Sequence, residues 1–179
     1  MKKVNVRMIA MCGMLIALYF VLGRLGYMLD FQAVKVSFEG LPVLIGGLLF
    51  GPGAGIAIGG IGSFLTQVLG PYGLTVTTPI WMAPYIVSGL FAGVFALVKK
   101  YNFKLRDYWI EIAIYQVIIT AINTLGLYVA SHIEGWYHPT LITGNLLVRL
   151  VIMVVIIVVY GLIVPPLLKV IKKIDRVNE

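Results

Sequence analysis

The stretch Leu146–Pro166 carries a single charge, Arg149, in an otherwise apolar run. At 1.5 Å per residue such a run reaches across the hydrocarbon core of a bilayer, so it predicts a membrane helix. An arginine inside such a helix costs roughly 2.5–3.5 kcal/mol near its centre on insertion scales. The charge therefore calls for a polar partner, a water-filled cavity or a bound ligand.

The rest of the chain has the same character. Of its 179 residues, 60% are hydrophobic and 12% charged, and the mean hydropathy is +1.00. A soluble domain of this size needs more polar surface, so the class is an integral membrane protein. The net charge of +7 is not spread like a nucleic-acid surface. Lys2, Lys3 and Arg7 precede the first apolar run, Lys99, Lys100, Lys104 and Arg106 fill one connection, and Lys169, Lys172, Lys173 and Arg176 close the chain. Short basic clusters at membrane boundaries are topology signals. The single cysteine, Cys12, reads as apolar packing. The first apolar run reads as a retained helix rather than a cleaved signal, because no convincing small-residue cleavage site follows it.

Apolar runs predict helices at about 6–28, 40–50, 52–70, 79–98, 108–131 and 144–172. The 40–70 region is ambiguous: Gly51-Pro52-Gly53 interrupts it, leaving one irregular span, a re-entrant segment or two short spans. Charge favours two. With a cytoplasmic N-terminus, six crossings leave eleven of the fourteen basic residues inside, the exceptions being Arg24, Lys35 and Arg149; five crossings strand a basic cluster outside. The expected fold is thus all-α: residues 1–179 form one compact domain of six transmembrane helices. Thirteen of the 20 glycines fall between Gly40 and Gly93, as close helix packing in lipid requires. On the first helix Ala10, Gly13 and Ala17 form a small-residue stripe that packs inside the bundle or against another protein.

Most remaining polar residues gather toward the outer half. The first connection carries Arg24, Asp30, Gln32, Lys35, Ser37 and Glu39 between aromatics that include Phe38. The link from the third to the fourth span holds Gln67, Tyr72, Thr77, Thr78 and Trp81. Gln116, Thr120, Asn123 and Thr124 share one face of the fifth span, and Asn145 and Arg149 form a matching stripe on the sixth. Apolar and aromatic walls with a few polar groups are the composition of a small-molecule pocket. In such a pocket Arg149 meets a ligand carboxylate, and Asn123 and Asn145 orient its donors and acceptors. Two other readings stand beside this one: Arg149 clamps two helices, or it snorkels to the interface. Trp81, Trp109 and Trp136 read as interfacial belt residues, Trp81 being placed best to face a ligand.

The inventory argues against catalysis. Asp107 and Glu111 are placed at the cytoplasmic edge, no nucleophile–base pair is evident, and His132, Glu134 and His138 lack the spacing of a zinc site. No phosphate loop, cofactor or metal is expected. A binding subunit that relies on partners to move its cargo is the leading reading. A membrane assembly subunit is the alternative.

The chain resembles the substrate-binding S components of energy-coupling factor (ECF) transporters, most closely the folate-family S components. The resemblance runs from about Ala10 to Arg149. It rests on Ala10-Met11-Cys12-Gly13-Met14-Leu15-Ile16-Ala17, on Phe38-Glu39-Gly40-Leu41-Pro42 leading to Gly47-Leu48-Leu49-Phe50-Gly51-Pro52, on Asn123-Thr124-Leu125 and on Arg149. The resemblance implies six helices with the first loop capping an external pocket. It also implies docking of the Ala10–Gly13–Ala17 stripe on a transmembrane scaffold subunit coupled to two cytoplasmic ATPases, and a multi-pass protein of a bacterial cell membrane with both termini cytoplasmic. The cargo it implies is a vitamin-class small molecule. The segments Gly62–Gln67 and Tyr72–Pro79 depart from the folate pattern, which leaves pantothenate, a cobalamin-like compound or a pyrimidine precursor open beside a folate.

Overall fold

The computed structural model describes residues 6–28, 30–31, 34–35, 38–71 and 73–177. Among these the chain forms an all-α bundle of six helices: α1 (Val6–Met28), α2 (Gly40–Phe50), α3 (Pro52–Val68), α4 (Thr78–Val98), α5 (Leu105–Ile133) and α6 (Thr140–Val177). A two-stranded antiparallel hairpin, β1 (Asp30–Phe31) with β2 (Val34–Lys35), interrupts the α1–α2 connection. Asp30 pairs with Lys35 and Phe31 with Val34, and β2 lies near α6.

Among the described residues four helices are long and apolar enough to cross a membrane: α1 over Val6–Gly26, α4, α5 and the Leu146–Ile171 part of α6. The ambiguous 40–70 region resolves into two helices meeting at Gly51, whose φ of 95° lies where residues with a Cβ are strained. Pro52 then opens α3, where its missing N–H removes no helical bond. At 11 residues α2 spans only about 16 Å. It is nonetheless the centre of the bundle, with α1, α3, α4 and α6 against it, and Gly40 and Pro42 through Leu49 are all buried. A helix apolar all round is buried on every side.

Glycine permits the tightest crossing. A Cβ on Gly55 of α3 would overlap the carbonyl oxygen of Gly89 on α4, and a Cβ on Gly89 would overlap that of Gly55. The two backbones therefore touch without side chains between them. Around this seam Tyr19, Leu44, Leu48, Ile58, Ile112, Tyr115 and Tyr160 form the buried core. Outward faces are aliphatic instead: Leu147 is 75% exposed and Val151 63%, the arrangement lipid favours.

At the basic end Asp107 accepts from Lys99 Nζ at 2.8 Å and from the Lys104 backbone N–H at 2.9 Å, fixing the α4–α5 turn. One turn further along α5, Glu111 faces the bundle and is only 2% exposed, because four-residue spacing carries it from Asp107 toward Tyr115 on the same inward face. Trp109 likewise packs over α6, where a Cβ on Gly161 would overlap its ring. Ala10, Gly13 and Ala17 all lie on the exposed side of α1.

Candidate functional site

At the end of the bundle away from the basic turn, α1, α3, α4, α5 and α6 separate around a cavity of about 710 Å³. That volume suits an organic solute of moderate size. Antiparallel α5 and α6 set its length. Gln116, Ile119, Thr120, Asn123 and Leu127 line it from α5; Arg149, Ile152, Met153, Ile156 and Tyr160 line it from α6. Both series repeat at three and four residues, the spacing of a single helix face. Each series runs over twelve residues, roughly 16 Å along its axis.

The inner end is made by Glu39 and Gly40 at the start of α2, with Tyr19, Gln116 and Tyr160 around them. Tyr115 Oη donates to the Gly40 carbonyl at 2.7 Å, tying α5 to the first turn of α2. Ser63 and Thr66 present α3 to the cavity, and their hydroxyls donate back to the Gly59 and Gly62 carbonyls at 2.5 and 3.0 Å. Such back-bonding lets a hydroxyl sit within an apolar helix while its lone pairs still face the cavity. Tyr85 meets Tyr19 edge to face, with ring centroids 5.2 Å apart, and supplies part of the α4 wall beside Trp81.

The outer end is bounded by loops. Thr77 Oγ1 donates to Glu134 Oε1 at 2.6 Å, and Trp136 Nε1 donates to Glu134 Oε2 at 2.7 Å. These two bonds hold the Glu134 carboxyl below its ordinary range, because both favour the ionised form. Thr75 joins the clasp: its Oγ1 lies 2.9 Å from Thr77 Oγ1, and its N–H donates to Thr78 Oγ1 at 2.9 Å. The loop before α4 is thereby pinned to the loop after α5. Arg24 adds a further tie from α1, donating to the Leu69 carbonyl while its guanidinium stacks over Phe20.

Arg149 stands between these ends. Its Nη1 donates to Thr124 Oγ1 at 3.3 Å, a long bond. Its Nε is buried with no hydrogen-bond partner among the described residues. Thr124 faces a second, apolar groove of about 610 Å³ on the α5–α6 surface, whose walls share Thr120 and Met153 with the main cavity. Arg149 thus combines a weak helix-to-helix contact with unused donor capacity at a cavity wall.

Of the residues the sequence singles out for cargo, Gln67, Thr77, Trp81, Gln116, Asn123 and Arg149 come together around this cavity. Thr78 is buried in the Thr75–Thr77 turn, and Phe38 packs against the core; neither is in the cavity wall. Tyr72 and the Asn145 side chain lie outside the described residues. Ser63 and Thr66, from the Gly62–Gln67 segment expected at the pocket, line the wall as well, and so do Tyr19, Glu39, Tyr85, Glu134 and Trp136, which the sequence reading did not assign to it. Glu39 carried a signal, being a lone acid at the head of a wholly apolar run. Tyr19 and Tyr85 carried none, since an inward tyrosine on an apolar helix looks like any core residue.

Among the described residues, no three of His, Cys, Asp and Glu gather to hold a metal ion. His132 instead packs on Tyr137 at a centroid distance of 4.0 Å, and its Nδ1 lies 2.8 Å from the Tyr128 carbonyl oxygen. No curated protein matches the chain. The family model for the substrate-specific component of ECF transporters, however, matches residues 7–171. Members of that family are non-catalytic substrate-binding subunits that generally partner with a scaffold and ATPase subunits. Four spans of membrane length, a polar-lined cavity and a match over nearly the whole chain agree: this protein belongs to the ECF transporter substrate-specific components.

Proposed function

We propose that this chain captures a vitamin-class solute, folate-like or of another vitamin type, on the outer side of a bacterial cell membrane. It delivers the solute inward by reorienting on a transmembrane scaffold driven by two cytoplasmic ATPases. The observation that carries this reading is the cavity of about 710 Å³ at the end of the bundle opposite the basic α4–α5 turn. Its walls are mostly apolar and aromatic, with polar groups set at separate levels, as recognition of one organic molecule requires.

In this reading all six helices cross or enter the bilayer, and both termini and the 99–106 connection face the cytoplasm. Arg149 takes a carboxylate of the cargo, because a guanidinium with an unsatisfied Nε gains most from a charged acceptor. Gln116 and Asn123 orient donors and acceptors along the cargo's length, Trp81 covers an apolar face of it, and Gln67 and Thr77 close the outer end. Asn145, Tyr72, Thr78 and Phe38 complete or support this shell. The exposed stripe of Ala10, Gly13 and Ala17 docks on the scaffold: a Cβ on Gly13 would meet nothing within 4 Å, so that surface is smooth and free for close helix contact. ATP hydrolysis belongs to the partner subunits.

The test is native mass spectrometry of the full chain purified in detergent from cells grown in rich medium. The expected result is one retained organic solute per chain, released on denaturation and identified as a vitamin or vitamin precursor. A chain that carries no solute, and afterwards binds none of folic acid, pantothenate, cobalamin or orotate, overturns the reading.

A further inference from the structure

The groove on the α5–α6 surface lies back to back with the main cavity. Val117, Ala121 and Leu125 of α5 and Leu146, Leu150 and Met153 of α6 supply most of its wall. Each set repeats at three or four residues, so each is one continuous helix face. Of the polar side chains in the wall, Thr124 is already engaged: its hydroxyl donates to the Thr120 carbonyl at 2.7 Å and accepts from Arg149. Water entering such a groove finds little to bond, and an empty groove forfeits dispersion contacts along its whole lining. The occupant it suits is a flexible hydrocarbon.

Length and place agree with that chemistry. From Val117 to Tyr128 the groove follows α5 for roughly 16 Å. The hydrocarbon core of a bilayer is about 30 Å thick, so this length is the depth of one leaflet. The rim is open sideways, with Leu125 62% and Leu150 42% exposed. On α6 it is continuous with the Leu147 and Val151 surface, part of the aliphatic exterior of a membrane-spanning helix. At the far end Tyr128 meets Tyr137 edge to face at 5.6 Å and His132 at a centroid distance of 4.4 Å. Aromatic rings with polar tips gather at the headgroup level, which makes Tyr128 the headgroup end and Val117 the methyl end. Thr120 and Met153 line both spaces, so at these positions one side chain stands between groove and cavity.

We propose that this groove is a binding site for one acyl chain of a membrane lipid, held lengthwise between α5 and α6 and backing the cavity wall at Thr120 and Met153. The apolar lining, the one-leaflet length and the continuity with the membrane-facing exterior together fix the class of ligand. The cavity gains a sealed wall from it. Met153 is unbranched and adaptable, and a hydrocarbon pressed against its outer side limits how far it swings out of the wall. The inference is independent of what the main cavity carries.

The test reconstitutes the full chain in phospholipid vesicles doped with phosphatidylglycerol that carries a photoactivatable diazirine on one acyl chain. Two versions of the probe place the diazirine near the carbonyl end or near the methyl end, and peptide mass spectrometry locates the labelled residues. Leu125 and Leu150 should be labelled several-fold more than Leu147 and Val151, although the latter pair is the more exposed. The carbonyl-end probe should favour Tyr128 and Leu146, and the methyl-end probe Val117 and Met153. Ala121→Trp fills the groove from α5 and should cut its labelling several-fold while Leu147 and Val151 stay labelled as before. Leu150→Trp fills it from α6 and keeps the site testable if the first variant does not fold. Labelling that merely follows exposure, or that neither tryptophan variant reduces, overturns the lipid site. A reversed depth pattern overturns the orientation. An unlabelled groove in a chain that native mass spectrometry finds dimeric assigns the groove to a second copy and overturns the proposal.

Discussion

At the residue scale Arg149 is held loosely for a half-buried cation. Its hydrogen bond to Thr124 is 3.3 Å long, and Nε is orphaned among the described residues. A side chain serving only as a helix clamp gains most by satisfying all its donors, since each unmet one keeps its desolvation cost. Arg149→Ala is therefore expected to keep the chain folded, with a monodisperse profile and little change in thermal midpoint, while weakening a carboxylated cargo by about 10–100-fold, the equivalent of a charged hydrogen bond of about 1.5–3 kcal/mol. Calorimetry measures the affinity; an unfolded variant, or one with unaltered affinity, supports the clamp instead. The Arg149 charge stands out in the sequence because an apolar run surrounds it, and the face shared by Gln116, Thr120 and Asn123 follows from helical spacing alone. Glu39, Tyr19 and Glu134 were not legible as cavity residues. Their place depends on the entry angle of a short helix, on a glycine opposite and on a contact between two loops, none of which leaves a periodic trace.

At the element scale two devices are testable. The Gly55–Gly89 contact lets α3 and α4 approach backbone to backbone, so Gly89→Ala must push them apart. Overpacking of this kind costs about 1–3 kcal/mol, lowering the thermal midpoint by roughly 5 °C; an unchanged melting curve contradicts the packing described. The second device is the Thr77–Glu134–Trp136 clasp. Its bonds depress the folded-state pKa of Glu134, so its contribution is complete above the unfolded value near pH 4.3 and is lost as pH falls through the lower folded value. The protection of the residue 75–78 amides, taken relative to their intrinsic exchange rate at each pH, should therefore fall below about pH 4.3, and Thr77→Val should shift the onset upward toward that value. Protection that does not change as pH falls from 6 to 2 contradicts the clasp. The six helices were legible from apolar runs, and the Gly51-Pro52 break marked where α2 ends. The sequence left open whether that break made one irregular span or two helices, because an 11-residue apolar run fits several buried arrangements.

At the scale of the whole molecule the chain is a container with an aliphatic exterior, and its work requires a second surface. Gly13 lies exposed on α1 with nothing near its missing Cβ, so Gly13→Leu should leave folding and cargo binding unchanged. It should abolish uptake into vesicles reconstituted with the scaffold and ATPases, because a bulky residue there prevents close helix contact. Uptake at the unaltered rate contradicts the docking face. Topology has its own check: in sealed vesicles, single cysteines in place of Asn102 and His138, in a Cys12→Ala background, should react with an impermeant thiol reagent from opposite sides. The central claim is that one solute occupies the cavity between the α2 floor and Arg149, and the most direct measurement is an experimental structure of the chain purified with the solute it retains. The account predicts density for one elongated molecule alongside Gln116 and Asn123, with an acid group at the Arg149 guanidinium. A solute bound elsewhere, or a cavity collapsed with Gln116, Asn123 and Arg149 packed against one another, contradicts it.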